Sequence, residues 1–282
     1  MNINISETKL SLLVSLNENY LPQLRVMLLS LRVNNPQLLC DVYFLHRGIP
    51  EEALSSLSEY LKTLRIELFP IEVDQQLFEN APITNRYPQE MYYRLLAAQL
   101  LPSSLDKVLY LDPDILIINS LEPLWQINLG DQLFAAAAHS GKAELIDGVN
   151  NLRLGTNGAY YNSGVLLINL AQCRKEICPE EIFRYALEHT AELLLPDQDI
   201  LNALYGQRIF PLDDLIWNYD ARNYHDYKLA THGEADINWI MEHTAILHFC
   251  GREKPWKPYY YRRFGVLYRH YMQLTRRMLS DS

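Results

Sequence analysis

The sequence predicts an α/β fold built around a largely parallel sheet, and three observations lead there. Short apolar runs alternate with stretches of helical periodicity through the first half of the chain. Proline and asparagine punctuate the junctions between them. Polar turns follow the strand-like runs, where open α/β sheets gather their ligands. With 282 residues the chain is long enough for one large domain with a substantial core.

Residues 10–16 form the first apolar run, read as a strand, and the polar turn 17–20 follows. Pro22 suits a first helical turn, and Leu24, Met27, Leu28 and Leu31 make a helical stripe that Asn34, Asn35 and Pro36 stop. The pattern repeats: strand 41–46, helix 51–64, strand 66–71, helix 89–101 closed by Pro102, and strand 107–111. Further on, 133–138, 164–169 and 245–249 read as strands, and 179–195 and 197–205 as helices. Residues 259–279 read as a last helix, with Phe264, Leu267, Tyr268, Tyr271, Met272 and Leu279 near one face. The expected division is a catalytic domain over 1–257 and a basic amphipathic helix over 258–282.

The net charge of −9 argues against a nucleic-acid binder. The charge is uneven: residues 252–282 hold eight Lys/Arg against two Asp/Glu. The four cysteines form no Cys-x-x-Cys pair and fit no zinc module, so buried free thiols in a reducing compartment are expected. The polar N-terminus lacks a signal-peptide pattern, and no apolar run is long enough to span a bilayer. A cytoplasmic protein is expected.

The strongest local signal is Asp112-Pro113-Asp114 directly after a strand. Carboxylates at i and i+2 of an extended backbone project to one side, and paired oxygens suit a hard divalent cation that also bridges a diphosphate. A plain polar turn would explain the triplet as well. His248 ends another apolar run and is followed by Gly251, Lys254 and Trp256. An imidazole there would complete a metal's protein ligands, Gly251 would admit a phosphate to the backbone, and Lys254 would neutralise it. The clusters Tyr161-Asn162-Ser163-Gly164 and Pro196-Asp197-Gln198-Asp199 stand at borders of apolar elements, offering amides and carboxylates for sugar hydroxyls. A turn for Asn162 and a helix N-cap for Asp197 are the alternatives.

Together these pieces resemble the family 8 glycosyltransferases, which include glycogenin and bacterial lipopolysaccharide galactosyl- and glucosyltransferases. The resemblance runs from about residue 12 to 257, and its motifs occur in the family's order: 17–20, Arg94, 107–114 with 121–125, 162–170, 197–201 and 248–256. It implies the GT-A fold, a mixed sheet with a Rossmann-like nucleotide-binding half. Asp112, Asp114 and His248 resemble the family's manganese ligands, with magnesium as the alternative ion. Ser15, Asn17 and Asn19 occupy the positions that hold uracil and ribose, and Tyr20 is similar to the aromatic residue at the uracil ring. Arg94 resembles the arginine that reaches the donor sugar and a metal-binding aspartate. Gly251 and Lys254 resemble the diphosphate clamp. Asn162, Asp197 and Gln198 match positions around the donor hexose, with Gln198 beneath the anomeric carbon. Two departures stand out. The position of Asn17 is often an aspartate, and His139 falls where a close relative carries an aspartate near the sugar.

The expected activity is retaining transfer of glucose or galactose from a UDP-sugar to a glycan or glycolipid acceptor. Gln198 is an amide and a poor nucleophile, so attack from the leaving-group face is favoured over a covalent intermediate. A self-glucosylating, glycogenin-like initiator is the alternative within enzymes, permitted by the 19 tyrosines. A catalytically silent UDP-sugar or glycan binder is the alternative outside them. The acceptor is expected on variable loops at 140–154 and 219–239. The C-terminal helix, rich in arginine and tyrosine, either packs its apolar stripe on the domain or contacts an anionic membrane at its cytoplasmic face.

Overall fold

The computed structural model describes residues 9–79, 81–83, 88–138 and 143–280. Ten strands are described: β1 (Lys9–Ser15), β2 (Leu39–His46), β3 (Ile66–Glu72), β4 (Lys107–Leu111), β5 (Ile115–Ile117), β6 (Phe134–Ala137), β7 (Val165–Asn169), β8 (Ile209–Leu212), β9 (Tyr219–Asp220) and β10 (Ile246–His248). Seven of them form one sheet in the order β3-β2-β1-β4-β7-β6-β8, and β5-β10-β9 form a second, smaller one. β3, β2, β1 and β4 run parallel, as their apolar runs and intervening helices require. β7 runs antiparallel to both β4 and β6, so the large sheet is mixed.

Both faces of the large sheet are covered. Leu12, Val14, Leu109 and Leu111 point into one apolar cluster. Their neighbours Leu13, Val108 and Tyr110 point into the other, following the two-residue period of a strand. The helix Leu21–Asn34 crosses from β1 to β2 and buries Leu24, Met27, Leu28 and Leu31, the stripe read from the sequence.

Three elements depart from the sequence reading. The helix expected at 89–101 is two short turns, Glu90–Tyr93 and Ala97–Leu100, and the break swings Arg94 toward the cleft. The helix expected at 179–195 stops at Glu188, and the buried carboxylate of Asp199 takes the amides of Leu194 and Leu195 instead. The final helix begins at Gly265 rather than 259, because Tyr260 folds back beside Gly265 and its ring meets Phe249. In addition, Ala143–Leu154 is a helix within the stretch read as a loop.

The C-terminal helix Gly265–Ser280 lies on Leu21–Asn34. Phe264, Tyr268 and Tyr271 are buried in the common core, and Asn34 Nδ2 donates to the Tyr271 hydroxyl at 2.8 Å. Arg276 and Arg277 face solvent. The apolar stripe is therefore occupied by the domain itself.

Candidate active site

Strand pairing assembles the site. β4 ends at Leu111 opposite Val165 of antiparallel β7, which sets Asp112 beside the residues just before β7. The Asp112 amide donates to the Gly164 carbonyl at 2.9 Å. After the Asp-Pro-Asp turn, β5 pairs antiparallel with β10 so that Ile115 faces His248. β10 in turn aligns His248 with Asp220 of β9. Two short strands thus carry His248 from far along the chain to the carboxylates after β4.

The result is a cluster of Asp112, Asp114 and His248 whose ligand atoms lie within 4.8 Å of one another. His248 Nε2 stands 3.3 Å from Asp114 Oδ1 and 3.9 Å from Asp112 Oδ2. Two carboxylates and an imidazole suit a divalent cation of intermediate hardness. Glycine at 164 is what lets them close: a Cβ there would stand 2.4 Å from His248 Cε1 and 2.7 Å from Asp112 Oδ2. The residues present therefore fit a metal ion. Burial pushes the Asp114 carboxyl up, but His248 and Lys254 outweigh it and hold Asp114 well below the usual carboxylate range. Burial likewise disfavours a charged His248, yet Cys250 and Asp114 beside it raise its proton affinity. Metal binding would displace that proton.

A chain of amides sets the imidazole's orientation. The backbone N–H of Ser163 donates to Gln198 Oε1 at 3.4 Å, and that of Gly164 to Asn162 Oδ1 at 3.0 Å. These two fixed donors identify the oxygens of both side chains. Asn162 Nδ2 then donates to Gln198 Oε1 at 3.0 Å, and Asn218 Nδ2 to Asn162 Oδ1 at 2.9 Å. Asn218 Oδ1 is left to accept from His248 Nδ1 at 2.8 Å. The Nδ1 proton is thereby held by Asn218, and Nε2 faces the carboxylates, where it would give its lone pair to a bound ion once its own proton has left. Asn218 is completely buried and was missed in the sequence, where it is one asparagine after a tryptophan.

The cleft beside this cluster has a volume of about 620 Å³. Arg94 crosses its floor, pairing with Asp112 at 3.1 Å and Asp197 at 3.0 Å while its guanidinium lies over the Tyr110 ring. Ser163 Oγ donates to the same Asp197 oxygen at 2.9 Å. Behind this wall, Asp199 is wholly buried and accepts from both arms of Arg153, at 2.7 and 2.8 Å, and from the Tyr160 hydroxyl. Asp199 belongs to the 196–199 cluster read from the sequence, without a role of its own there, while Arg153 and Tyr160 were not singled out; 46 residues separate the ion pair.

Of the residues expected from the sequence, Arg94, Asp112, Asp114, Asn162, Asp197, Gln198, His248, Gly251 and Lys254 all line this one cleft. Lys254 forms a short ion pair with Asp114 and donates to the Phe249 carbonyl at 3.0 Å. Ser15, Asn17, Asn19 and Tyr20 stand apart at the end of β1. Ser15 Oγ donates to the Glu90 carbonyl at 3.3 Å, and Asn17 Oδ1 accepts the Asn19 amide at 3.1 Å, capping a short turn. Tyr20 meets Trp256 edge to face at 6.2 Å, which joins this turn to the segment carrying Lys254. His139 lies outside the described residues.

Known proteins place this architecture. General stress protein A of Bacillus subtilis (strain 168) is 30% identical over 268 residues, covering 92% of each chain. Lipopolysaccharide 1,2-glucosyltransferase of Escherichia coli (strain K12) is 29% identical over 261 residues, 90% of this chain and 75% of that one. In three dimensions, the galactosyltransferase LgtC in complex with donor and acceptor sugar analogs superposes with a TM-score of 0.78 at 24% identity, over 94% of this chain and 96% of that one. That superposition bears out the GT-A fold. The profile of the family described as glycosyl transferase family 8 matches residues 11–259, nearly the whole chain, and the protein belongs to that family.

Proposed function

We propose that this protein transfers glucose or galactose from a UDP-sugar to a glycan or glycolipid acceptor, with retention at the anomeric carbon and dependence on manganese. The observation that carries the reading is the shared cleft: the Asp112–Asp114–His248 cluster and Lys254 on one side, Asn162, Asp197 and Gln198 on the other. A cation site next to a wall of amides and carboxylates matches a diphosphate joined to a sugar. The similar lipopolysaccharide glucosyltransferase points to a saccharide acceptor of the same kind.

In this reading Asp112, Asp114 and His248 hold the ion, which when bound neutralises the diphosphate as a Lewis acid. Lys254 adds a positive charge to the leaving group. Asn162 and Asp197 orient the hexose, and Gln198 lies under its anomeric carbon. The acceptor hydroxyl attacks that carbon from the leaving-group face. The bond from carbon to the β-phosphate oxygen breaks, and a departing phosphate oxygen takes the hydroxyl proton. The carboxylates flanking Gln198 support this course. Asp199 is buried and tied to Arg153 and Tyr160, so it is not free to act as a nucleophile, and Asp197 gives its Oδ2 to Arg94 and Ser163.

Incubation of the protein with UDP-glucose or UDP-galactose, manganese and a panel of saccharide acceptors, read by mass spectrometry, tests the proposal. A gain of one hexose on an acceptor, abolished by EDTA, is expected. Transfer that persists in excess EDTA would remove the metal. A hexose gain on the protein itself would favour the self-glucosylating alternative, and absence of both transfer and donor hydrolysis would favour a silent binder.

Contact with an anionic membrane belongs to the same proposal. Among the described residues no helix is long and apolar enough to cross a membrane. With the apolar stripe packed on the domain, contact falls to the outward residues Tyr259, Tyr261, Val266, Arg276 and Arg277. This suits a reversible electrostatic attachment at the cytoplasmic face.

A further inference from the structure

We infer that Arg222 is a further cation for the leaving diphosphate, placed beside Gly251 in the cleft that Lys254 also lines. The inference rests on the UDP-sugar reading above. Arg222 was outside every sequence motif. It follows β9, whose Asp220 is aligned with His248, and the Ala221 amide donates to the His248 carbonyl at 2.9 Å. Arg222 therefore enters the cleft one short strand away from the proposed metal ligands.

Its guanidinium is held in one pose. Nε donates to both oxygens of Asp220, at 2.9 and 3.1 Å, and Nη2 donates to Oδ2 at 2.7 Å. Asp220 is itself almost wholly buried. Among the described residues Nη1 has no hydrogen-bond partner. It lies 2.5 Å from where a Cβ on Gly251 would stand, and Gly251 has φ of +82°. Glycine at 251 is thus required twice, for a left-handed backbone and for the approach of this guanidinium. The other arginines of the cleft have both arms engaged. Arg94 reaches Asp112, Asp197 and Ser163, and Arg153 reaches Asp199 and Asn150.

An N–H edge that is fixed, charged and unpartnered beside a glycine backbone matches a phosphate oxygen. Preorganisation by Asp220 means that no side-chain freedom is lost when the anion arrives. Arg222 also lines a neighbouring depression with Asn223, His225, Asp226 and Arg262, where cationic side chains outnumber the one carboxylate. An anionic group on the acceptor is therefore the competing occupant.

Titration calorimetry with UDP and with UMP, both in the presence of manganese, tests the inference on the native protein, Arg222→Gln and Arg222→Lys. Arg222→Gln is expected to weaken UDP binding roughly tenfold to a hundredfold and leave UMP binding unchanged. Arg222→Lys is expected to recover part of the loss. Unchanged UMP affinity also shows that the variants fold. Equal losses on both nucleotides, or no loss on either, would overturn the role of Arg222. So would unchanged UDP affinity with a raised KM for the acceptor, which would assign Arg222 to the acceptor. If the native protein bound no UDP, the UDP-sugar reading itself would fall.

Discussion

The two walls of the cleft carry carboxylates in opposite ways. On the side of the candidate metal cluster, Asp112 and the buried Asp114 take single contacts from His248, Arg94, Lys254 and the Tyr110 hydroxyl. On the opposite wall, where the sugar is proposed to lie, Asp199 is sealed from solvent and saturated by Arg153, Tyr160 and two backbone amides. The first arrangement leaves oxygens that an arriving cation can take over. The second leaves none, so Asp199 acts as a clamp between the helix Ala143–Leu154 and the N-terminal turn of the helix Pro196–Tyr205. The same side chain is a ligand or a brace according to whether its partners can be exchanged.

The contrast is most sharply broken on the metal side. Asp112→Ala, Asp114→Ala and His248→Ala are each expected to lower turnover by at least about a hundredfold to a thousandfold, because charge at the leaving group goes uncompensated. Initial rates with excess manganese check this, and near-native rates in any one variant would remove that residue from the metal site. On the clamp side, Asp199→Ala is expected to cost about 3–5 kcal/mol of stability, since it strands Arg153. Urea unfolding measures it. A loss below about 1 kcal/mol would show the network to be dispensable.

Between the walls, Asn218→Ala removes the partner of His248 Nδ1 and is expected to weaken manganese binding about ten- to a hundredfold. Gln198→Ala is expected to slow turnover roughly ten- to a hundredfold while UDP affinity stays as it was. Lost UDP affinity with unchanged turnover would place Gln198 at the nucleotide. The smallest effect concerns the C-terminal helix. Replacing Arg276 and Arg277 with glutamine is expected to reduce co-sedimentation with anionic vesicles by about 1 kcal/mol per residue at low salt. Equal sedimentation before and after replacement would exclude those arginines from any membrane contact.

How much of this was legible in the sequence follows the range of the interactions. β1, β2, β3 and β4 fell within a few residues of the apolar runs, since strand formation there is written in local hydrophobicity. Direction was not: the run at 164–169 gives no sign that β7 is antiparallel, yet that pairing sets Gly164 against Asp112. The helix broken at Arg94 reads as one continuous periodic stretch, and a tertiary demand, the ion pairs to Asp112 and Asp197, overrides it. The candidate metal cluster was readable because family motifs mark its members. Asn218, Arg222 and Arg153 carry no such mark; only pairing of β9 with β10 and packing of distant helices bring them to the site.

The central claim is that the hexose leaves with retention, by attack on the face from which UDP departs. Proton NMR of the product formed from α-linked UDP-glucose or UDP-galactose tests it directly. Retention gives an α-linked product whose formation stops when Asp114 is replaced by alanine. A β-linked product would contradict it, because inversion needs attack from the face that Gln198 occupies.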